Sequence, residues 1–376
     1  MSRGRTSLSR LVRPAALVAV LVLILAACGG GGKATPTGGA TTTKPQPVAV
    51  KLYLPFLRSI AFWPVHVAEE LGYFKQEGLI VKSQATDGSS FVVQQVSAEK
   101  AEFGIATSDP VLLGFEANKT FKSIYEFLTA NVFDLYVLDS SPVQQIGDFK
   151  GKVVAVKDLS GGEVPGLNVL LQKAGLHPGS DVKLKPLGEN AAVQAQALMS
   201  GKVDGFMVSW NSVVGLESAL QNQNIQLRCL TCGAQTSQGS EVVIASQKVL
   251  QDHPEWVIGV GRALAKATLF GETNPDAALA IMKKVNPEEQ TDAAFAKAYF
   301  TKALKVTAPR DTSKGFGYQD PAAWQRSMEL LLAPGLESGL SGPVDLSALL
   351  DNDQVAKYND FDQNAVIQQA KSYPTS

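Results

Sequence analysis

Val48-Ala49-Val50-Lys51-Leu52-Tyr53-Leu54, then Pro64-Val65-His66-Val67-Ala68-Glu69-Glu70-Leu71-Gly72, then Leu79-Ile80-Val81-Lys82 read as strand, helix, strand. The middle stretch opens on a proline suited to a first helical turn, carries Val65, Ala68 and Leu71 on one face and halts at Gly72. Strand, helix, strand is the βαβ unit of a parallel sheet. The pattern continues with a helix over Phe91 to Ala98, a strand over Phe103 to Ala106, a helix over Pro110 to Ala117 and a strand over Phe121 to Phe127.

A second block repeats it. Strands are expected at Val153 to Val156, Val182 to Leu187, Val203 to Val208 and Ile225 to Leu230, with helices near 164–174, 191–200 and 212–222. Two α/β lobes are implied. After a last short strand, Glu241 to Ala245, the chain turns mostly helical, with helix starts at Asp252-His253-Pro254 and Asn274-Pro275-Asp276.

Toward the N-terminus the chain carries an address. Residues 1–14 hold Arg3, Arg5, Arg10 and Arg13 and no acid, residues 15–25 are apolar, and Leu25-Ala26-Ala27-Cys28 comes next. That is the layout of a secretory signal ending at a lipoprotein cleavage site, with 1–27 removed and Cys28 lipidated. The apolar run is about half the ~20 residues that span a bilayer, which favours a cleaved signal over a retained helix. Residues 28–47 begin Gly29-Gly30-Gly31-Gly32 and continue rich in Thr, Pro, Gly and Ala. Such a composition cannot bury apolar surface and makes a tether with a reach of about 25 Å.

Losing the signal removes four positive charges, so the formal charge moves from −1 to −5. A mildly acidic body offers no basic stripe for nucleic acid. The remaining 330 or so residues are ample for two cores. Cys229 and Cys232 are an even pair in an exported protein and read as a local disulfide. A redox Cys-x-x-Cys has the same spacing, although residues 225–230 read as a strand rather than the helix start that chemistry uses. Zinc would need two more ligands, and His66, His177 and His253 show no ligand spacing.

In open α/β sheets ligands bind beyond the carboxyl ends of strands, where helix N-termini present free N–H groups. The junctions of interest are Phe62-Trp63-Pro64, Asp87-Gly88-Ser89-Ser90, Thr107-Ser108-Asp109, Ser160-Gly161-Gly162 and Ser209-Trp210-Asn211. Their small and hydroxylated residues fit ligand contact, and they equally fit plain helix capping. Trp63 and Trp210 stand one in each lobe, placed either to stack on a flat ligand or to anchor a core. Phe91 and Tyr125 are further candidates for the cleft, as are Arg310 and Tyr318 in the C-terminal region. Trp256 and Trp324 lie inside helical patterns and read as packing. No phosphate loop, dinucleotide fingerprint or nucleophile elbow occurs, so no catalytic residues, metal or cofactor are expected.

Four stretches resemble a known family. Pro64-Val65-His66-Val67-Ala68-Glu69-Glu70-Leu71-Gly72-Tyr73-Phe74-Lys75-Gln76-Glu77-Gly78-Leu79 is similar to a signature of the periplasmic solute-binding proteins for thiamine-pyrimidine precursors, alkanesulfonates and nitrate, the NMT1/THI5-like and SsuA-like group. Ala101 to Asp109, Phe149 to Val156 and Gly201-Lys202-Val203-Asp204-Gly205 resemble further elements of that group, the last with Gly205 where alanine is usual. The resemblance spans about residues 50–285.

The resemblance implies a type II periplasmic-binding-protein fold, α/β, with two lobes joined by a two-strand hinge and closing on a small molecule that passes to an ABC permease and its ATPase. Lobe I would comprise 48–134 and 246–376, lobe II 139–240, and the hinge 135–138 and 241–245. A monomer, anchored outside the cytoplasm through Cys28, is expected. Two ligand chemistries compete. Gly88-Ser89-Ser90 and Ser160-Gly161-Gly162 suit a sulfonate, taurine or nitrate held by backbone N–H groups. Trp63 and Trp210 suit a flat heterocycle such as a thiamine pyrimidine precursor, the favoured reading. The rival classes are a pyrimidine-precursor synthase, which the chain resembles around His66 but whose cysteine-rich iron motif Cys229-Leu230-Thr231-Cys232 does not reproduce, and a surface protein that transports nothing.

Overall fold

The computed structural model describes residues 46–129, 133–221, 223–232, 241–308, 311–332 and 339–375, all within one unit, Pro45–Ser376. The signal segment, Cys28, nearly all of the tether and Arg310 lie outside the described residues.

Ten strands form two five-stranded sheets. They are β1 (Val48–Leu54), β2 (Leu79–Ala85), β3 (Phe103–Thr107), β4 (Phe121–Glu126), β5 (Phe133–Leu138), β6 (Val153–Val156), β7 (Lys183–Pro186), β8 (Gly205–Ser209), β9 (Leu227–Cys229) and β10 (Glu241–Ser246). The first sheet runs β2-β1-β3-β10-β4 and the second β7-β6-β8-β5-β9. The βαβ reading holds for β1, β2 and β3 and for β6, β7 and β8, which pair in parallel. Both sheets are nevertheless mixed. β10 lies antiparallel between β3 and β4, and β5 antiparallel between β8 and β9.

The reason for the mixing is the route of the chain. It leaves the first sheet after Glu126 to enter the second at Phe133, and it returns after Cys229 to re-enter the first at Glu241. Each returning strand slots into a central position against the direction of its neighbours. Leu135–Leu138 and Glu241–Ala245, expected as hinge strands, are thus paired on both sides within one sheet each. β3, β8 and β10 are buried at every residue, as central strands covered on both faces must be. The edge strand β2 alternates instead, from Leu79 inward to Lys82 and Gln84 outward.

One face of the first sheet packs on the helix Trp63–Glu70 and the C-terminal helices, above all Pro254–Thr273, through Leu52, Ile105, Val243, Leu264 and Phe270. Its other face buries Val92, Leu112, Ile244, Trp324 and Leu331. The two faces of the second sheet carry their own clusters, around Leu135, Val154 and Leu167 and around Ala195, Phe206 and Leu216. Fully burying one such aliphatic side chain contributes about 1.5–3 kcal/mol. Cys229 and Cys232 are joined in a disulfide at the end of β9. Asp134 lies beside them, but sulfurs bonded to each other offer no thiolate pair for a metal. Among the described residues no helix is long and apolar enough to cross a membrane.

Candidate functional site

The carboxyl ends of β1, β2 and β4 in one sheet face those of β6 and β8 in the other across a cleft enclosing ≈ 410 Å³ of empty space. Pro55, Phe56, Ala61, Gly88, Ser89, Leu128 and Glu241 line it from the first sheet's side. Phe133, Lys157, Gly161, Gly162, Glu163, Ser209, Trp210 and Asn211 line it from the second's. The walls nearly meet, leaving ≈ 20 Å³ open to the centre of a water-sized sphere. That is room for about one water, so a ring system enters only if the walls separate.

Two of these residues reach the cleft through strand direction. In an antiparallel pair, a strand's first residue lies beside its neighbour's last, and Glu241 is opposite Thr107 while Phe133 is opposite Ser209. The returning strands therefore bring their N-terminal residues to the rim that parallel strands reach with their C-terminal ends.

Glycines let the two sides touch. Gly88 has φ +128°, open to glycine alone in practice, and a Cβ there would run into the Ser160 carbonyl. Gly162 has an ordinary helical φ of −66°, but a Cβ on it would collide with Thr107 Oγ1. Hydrogen bonds join the same loops. Ser90 N–H donates to the Ser160 carbonyl at 3.2 Å, and Ser160 Oγ–H donates to the Asp87 carbonyl.

These bonds change the meaning of the small-residue loops. Besides the Ser90 N–H, the Ser160 N–H is taken by Asp158 Oδ1 at 2.7 Å and the Gly161 N–H by the Asp158 carbonyl at 3.0 Å. The Glu163 side chain folds back over the loop, accepts the Lys157 N–H at 2.8 Å and lies against Gly161. The position where N–H groups would cradle an external anion already holds the protein's own carboxylate.

Two acids and one lysine are the ionisable side chains lining the cleft among the described residues. Glu163 and Glu241 are buried, 2 % and 3 % exposed. Burial raises the Glu163 carboxyl despite its N–H partners and the Lys157 charge, and burial pushes Glu241 up to about 7 against a weaker pull from Lys157. The Lys157 ammonium sits 3.0 Å from Glu189 and 3.6 Å above the centre of the Phe56 ring. A single cation thus serves several carboxylates, while Phe56, Phe133 and Trp210 supply aromatic surface. Trp210 is half-buried and held edge-on by Tyr299, ring centres 5.5 Å apart at 71°.

Of the residues expected at the site, Gly88, Ser89, Gly161, Gly162, Ser209, Trp210 and Asn211 line the cleft. The other seven do not. Trp63 and Phe62 are fully buried. Trp63 packs edge-on against Phe300 at 5.4 Å and onto Gly271, so its ring is a core anchor and not the stacking surface expected of it. Ser90 and Ser160 are engaged with each other's loops. Thr107 and Ser108 are buried, and Asp109 packs against Gly166, its carboxyl raised to about 6 by burial. Phe91 is on the surface and Tyr125 in the core beside Tyr358, and neither lines the cleft, nor does Tyr318. His66 is also away from it. It is fully buried, with Nδ1 3.1 Å from Glu69 Oε2 and 3.0 Å from Arg58 Nη2, and desolvation lowers its pKa.

The cleft residues that sequence reasoning misses are Pro55, Phe56, Ala61, Leu128, Phe133, Lys157, Glu163 and Glu241. Phe56 and Lys157 come just after the ends of β1 and β6, where the strand-end rule applies. At β1 the rule points instead to Phe62, because the short 3₁₀ turn Ile60–Phe62 intervenes before the helix. Glu241 carries a signal too, as an acid opening the otherwise apolar Val242-Val243-Ile244-Ala245.

Comparison with known proteins agrees with this geometry. The profile of the family described as NMT1/THI5 like matches residues 59–278. The riboflavin-binding protein RibY of Chloroflexus aurantiacus is 23% identical over 326 residues, covering 84% of this chain and 90% of RibY. Among solved structures, one from Bordetella bronchiseptica RB50 superposes with a TM-score of 0.68 at 19% identity, over 83% of this chain and 97% of that one. The alkanesulfonate-binding protein SsuA from Xanthomonas axonopodis pv. citri, bound to MOPS, superposes at 0.56 with 16% identity, over 84% and 99%. The fold is that of the periplasmic binding proteins.

Proposed function

The chain belongs to the NMT1/THI5-like family, and from that premise we propose that it is the extracytoplasmic substrate-binding component of an ABC importer. In this reading it captures an uncharged flat heterocycle between its lobes and delivers it to a permease driven by an ATPase. The body works as a monomer tethered to the membrane through lipidated Cys28. The lobes, joined through the hinge strands 135–138 and 241–245, part about them to admit the ligand. The protein carries its ligand without transforming it.

The observation that carries the ligand class is Glu163. Its carboxylate occupies the second-lobe loop whose N–H groups would hold a sulfonate or nitrate. A bound anion would find the Lys157 N–H already taken by Glu163 and the Lys157 ammonium already held by Glu189. A neutral ring meets Phe56, Phe133 and Trp210 instead, the apolar walls with few polar groups typical of small-molecule sites. RibY, by name a riboflavin binder, supports flavin-like and pyrimidine-like rings as the first to try.

The test is a thermal-shift series on the intact protein with riboflavin, lumichrome, an aminopyrimidine, taurine and nitrate. Ligand at a hundred times its dissociation constant stabilises the folded form by about 2.7 kcal/mol, an easily read shift. A rise in Tm with one of the rings and none with the anions is expected. A rise with taurine or nitrate alone would overturn the heterocycle reading.

A further inference from the structure

Buried polar atoms in folded proteins nearly always have partners, and an exception that lines a cleft points outward to a ligand. Among the described residues of the cleft and the pocket beside it, two side chains carry such an atom, and each offers an acceptor oxygen, which a carboxyl keeps even when protonated. Glu241 is 3 % exposed, and its Oε2 is buried without a partner. Gln194, 1 % exposed, lines a smaller pocket beside the cleft that shares Phe133, Lys157, Glu163 and Ser209 with it. Its Nε2 donates to the Gly188 carbonyl at 2.6 Å, which fixes the amide's orientation and leaves Oε1 as the end with no partner.

The contrast with neighbouring groups is informative. Glu163 in the same wall is met by backbone N–H, and Lys157 by Glu189. Other orphaned atoms, such as Trp63 Nε1 and Tyr358 Oη, sit in the cores and not in the cleft lining. The cleft lining therefore offers one lone acceptor from each side, Glu241 from the first sheet and Gln194 from the second lobe. A buried acceptor left unpaired is costly, and a site built around one rejects an analogue that lacks the matching donor.

Resting on the flat-ring reading above, we propose that the ligand bears hydrogen-bond donors toward both lobes, one met by Glu241 and one by Gln194, so that the ring is selected by its donor pattern as well as by its flatness. Since the two acceptors belong to different lobes, both bonds form only when the lobes have closed on the ring.

The experiment is calorimetric titration of the intact protein with lumichrome, which carries two ring N–H groups, and with its 1,3-dimethyl analogue, which carries none. Lumichrome is expected to bind at least about tenfold more tightly. In Glu241→Leu and in Gln194→Leu this preference should shrink, chiefly through weaker lumichrome binding. Equal binding of the two rings by the unmodified protein overturns the proposal and leaves the aromatic slot standing. A preference that persists undiminished in both variants marks steric exclusion of the methyl groups and overturns it too. Failure of both rings to bind the folded protein removes the flat-ring reading and this inference together. Should one variant fail to fold, the other decides the case, since loss of either acceptor is expected to shrink the preference.

Discussion

Trp63 and Trp210 begin helices in different lobes, and their surroundings are opposite. Trp63 is sealed between Phe300 and Gly271 with no exposed surface, whereas Trp210 is half-buried, leans its edge on Tyr299 and shows a face to the cleft. The difference lies in the layer outside each sheet. The first sheet is backed by the helix Pro254–Thr273 and its companions, which press onto the helix Trp63–Glu70 and close over its first residue. The helix Ala293–Thr307, which lays Phe300 against Trp63, meets Trp210 through Tyr299, and Trp210, directly after β8 at the rim, keeps part of its surface in the cleft. An aromatic at a helix start is a ligand contact only where the next layer of structure leaves it uncovered.

Truncating each ring puts this contrast under the most strain. Trp63→Ala should cost about 3–5 kcal/mol, because a large cavity opens in a closed core. Thermal unfolding would show it as a fall in Tm of roughly 10 °C. A stable Trp63→Ala protein with weakened ring binding would reverse the assignment. Next in size is Gly162→Ala, where the new methyl has an allowed backbone but meets Thr107 from the other lobe. Overpacking costs about 1–3 kcal/mol, and here it should fall on lobe contact, seen as a larger radius in small-angle scattering. Gly147→Ala, with open space around its Cβ position, is the control expected to change neither quantity.

Trp210→Ala comes third, with a tenfold or greater loss of affinity for lumichrome, about 1.4 kcal/mol, and a much smaller change in Tm than Trp63→Ala. Unchanged calorimetric affinity would remove Trp210 from the site. The smallest effect is a pH dependence that the cleft should share with the interface near Ile60. Burial raises Glu241 and Glu289 to about 7, the latter against a hydrogen bond from the Ile60 N–H. The folded state holds these protons to higher pH than the unfolded chain, where glutamate titrates near 4.3. Between those values folding takes up protons, so their contribution makes stability fall as pH rises from about 5 to about 7. Glu241→Gln should flatten part of that decline in Tm, and an unaltered slope would show that Glu241 ionises freely in the folded protein.

Much of the fold is legible in local pattern. β1 and β6 match their expected bounds, and the helices at Glu163–Lys173 and Ala191–Met199 lie within a residue or so of theirs. Period and punctuation are properties of neighbouring residues, so a linear reading can find them. The site is legible by half. The junction rule finds Gly88, Ser89, Gly161, Gly162, Ser209, Trp210 and Asn211, because parallel strands end on one rim and the residues after them must face the cleft. It misses Phe133 and Glu241, which open their strands instead of closing them. It also over-reads the glycine loops, where the Ser90, Ser160 and Gly161 N–H groups have partners within the protein.

The set of elements, the two α/β blocks and the family signature could all be read along the chain, since each rests on residues close together in it. The direction of β5 and β10, the tryptophan that is covered and the carboxylate that fills the loop at Gly161 emerge only when the chain has packed. The first two depend on contacts between segments seventy or more residues apart, where Phe133 meets Ser209, Phe300 meets Trp63 and Glu241 meets Thr107. The third depends on a loop folding back over itself, where Glu163 accepts the Lys157 N–H. Local periodicity records whether a residue is buried, and it carries no record of what buries it.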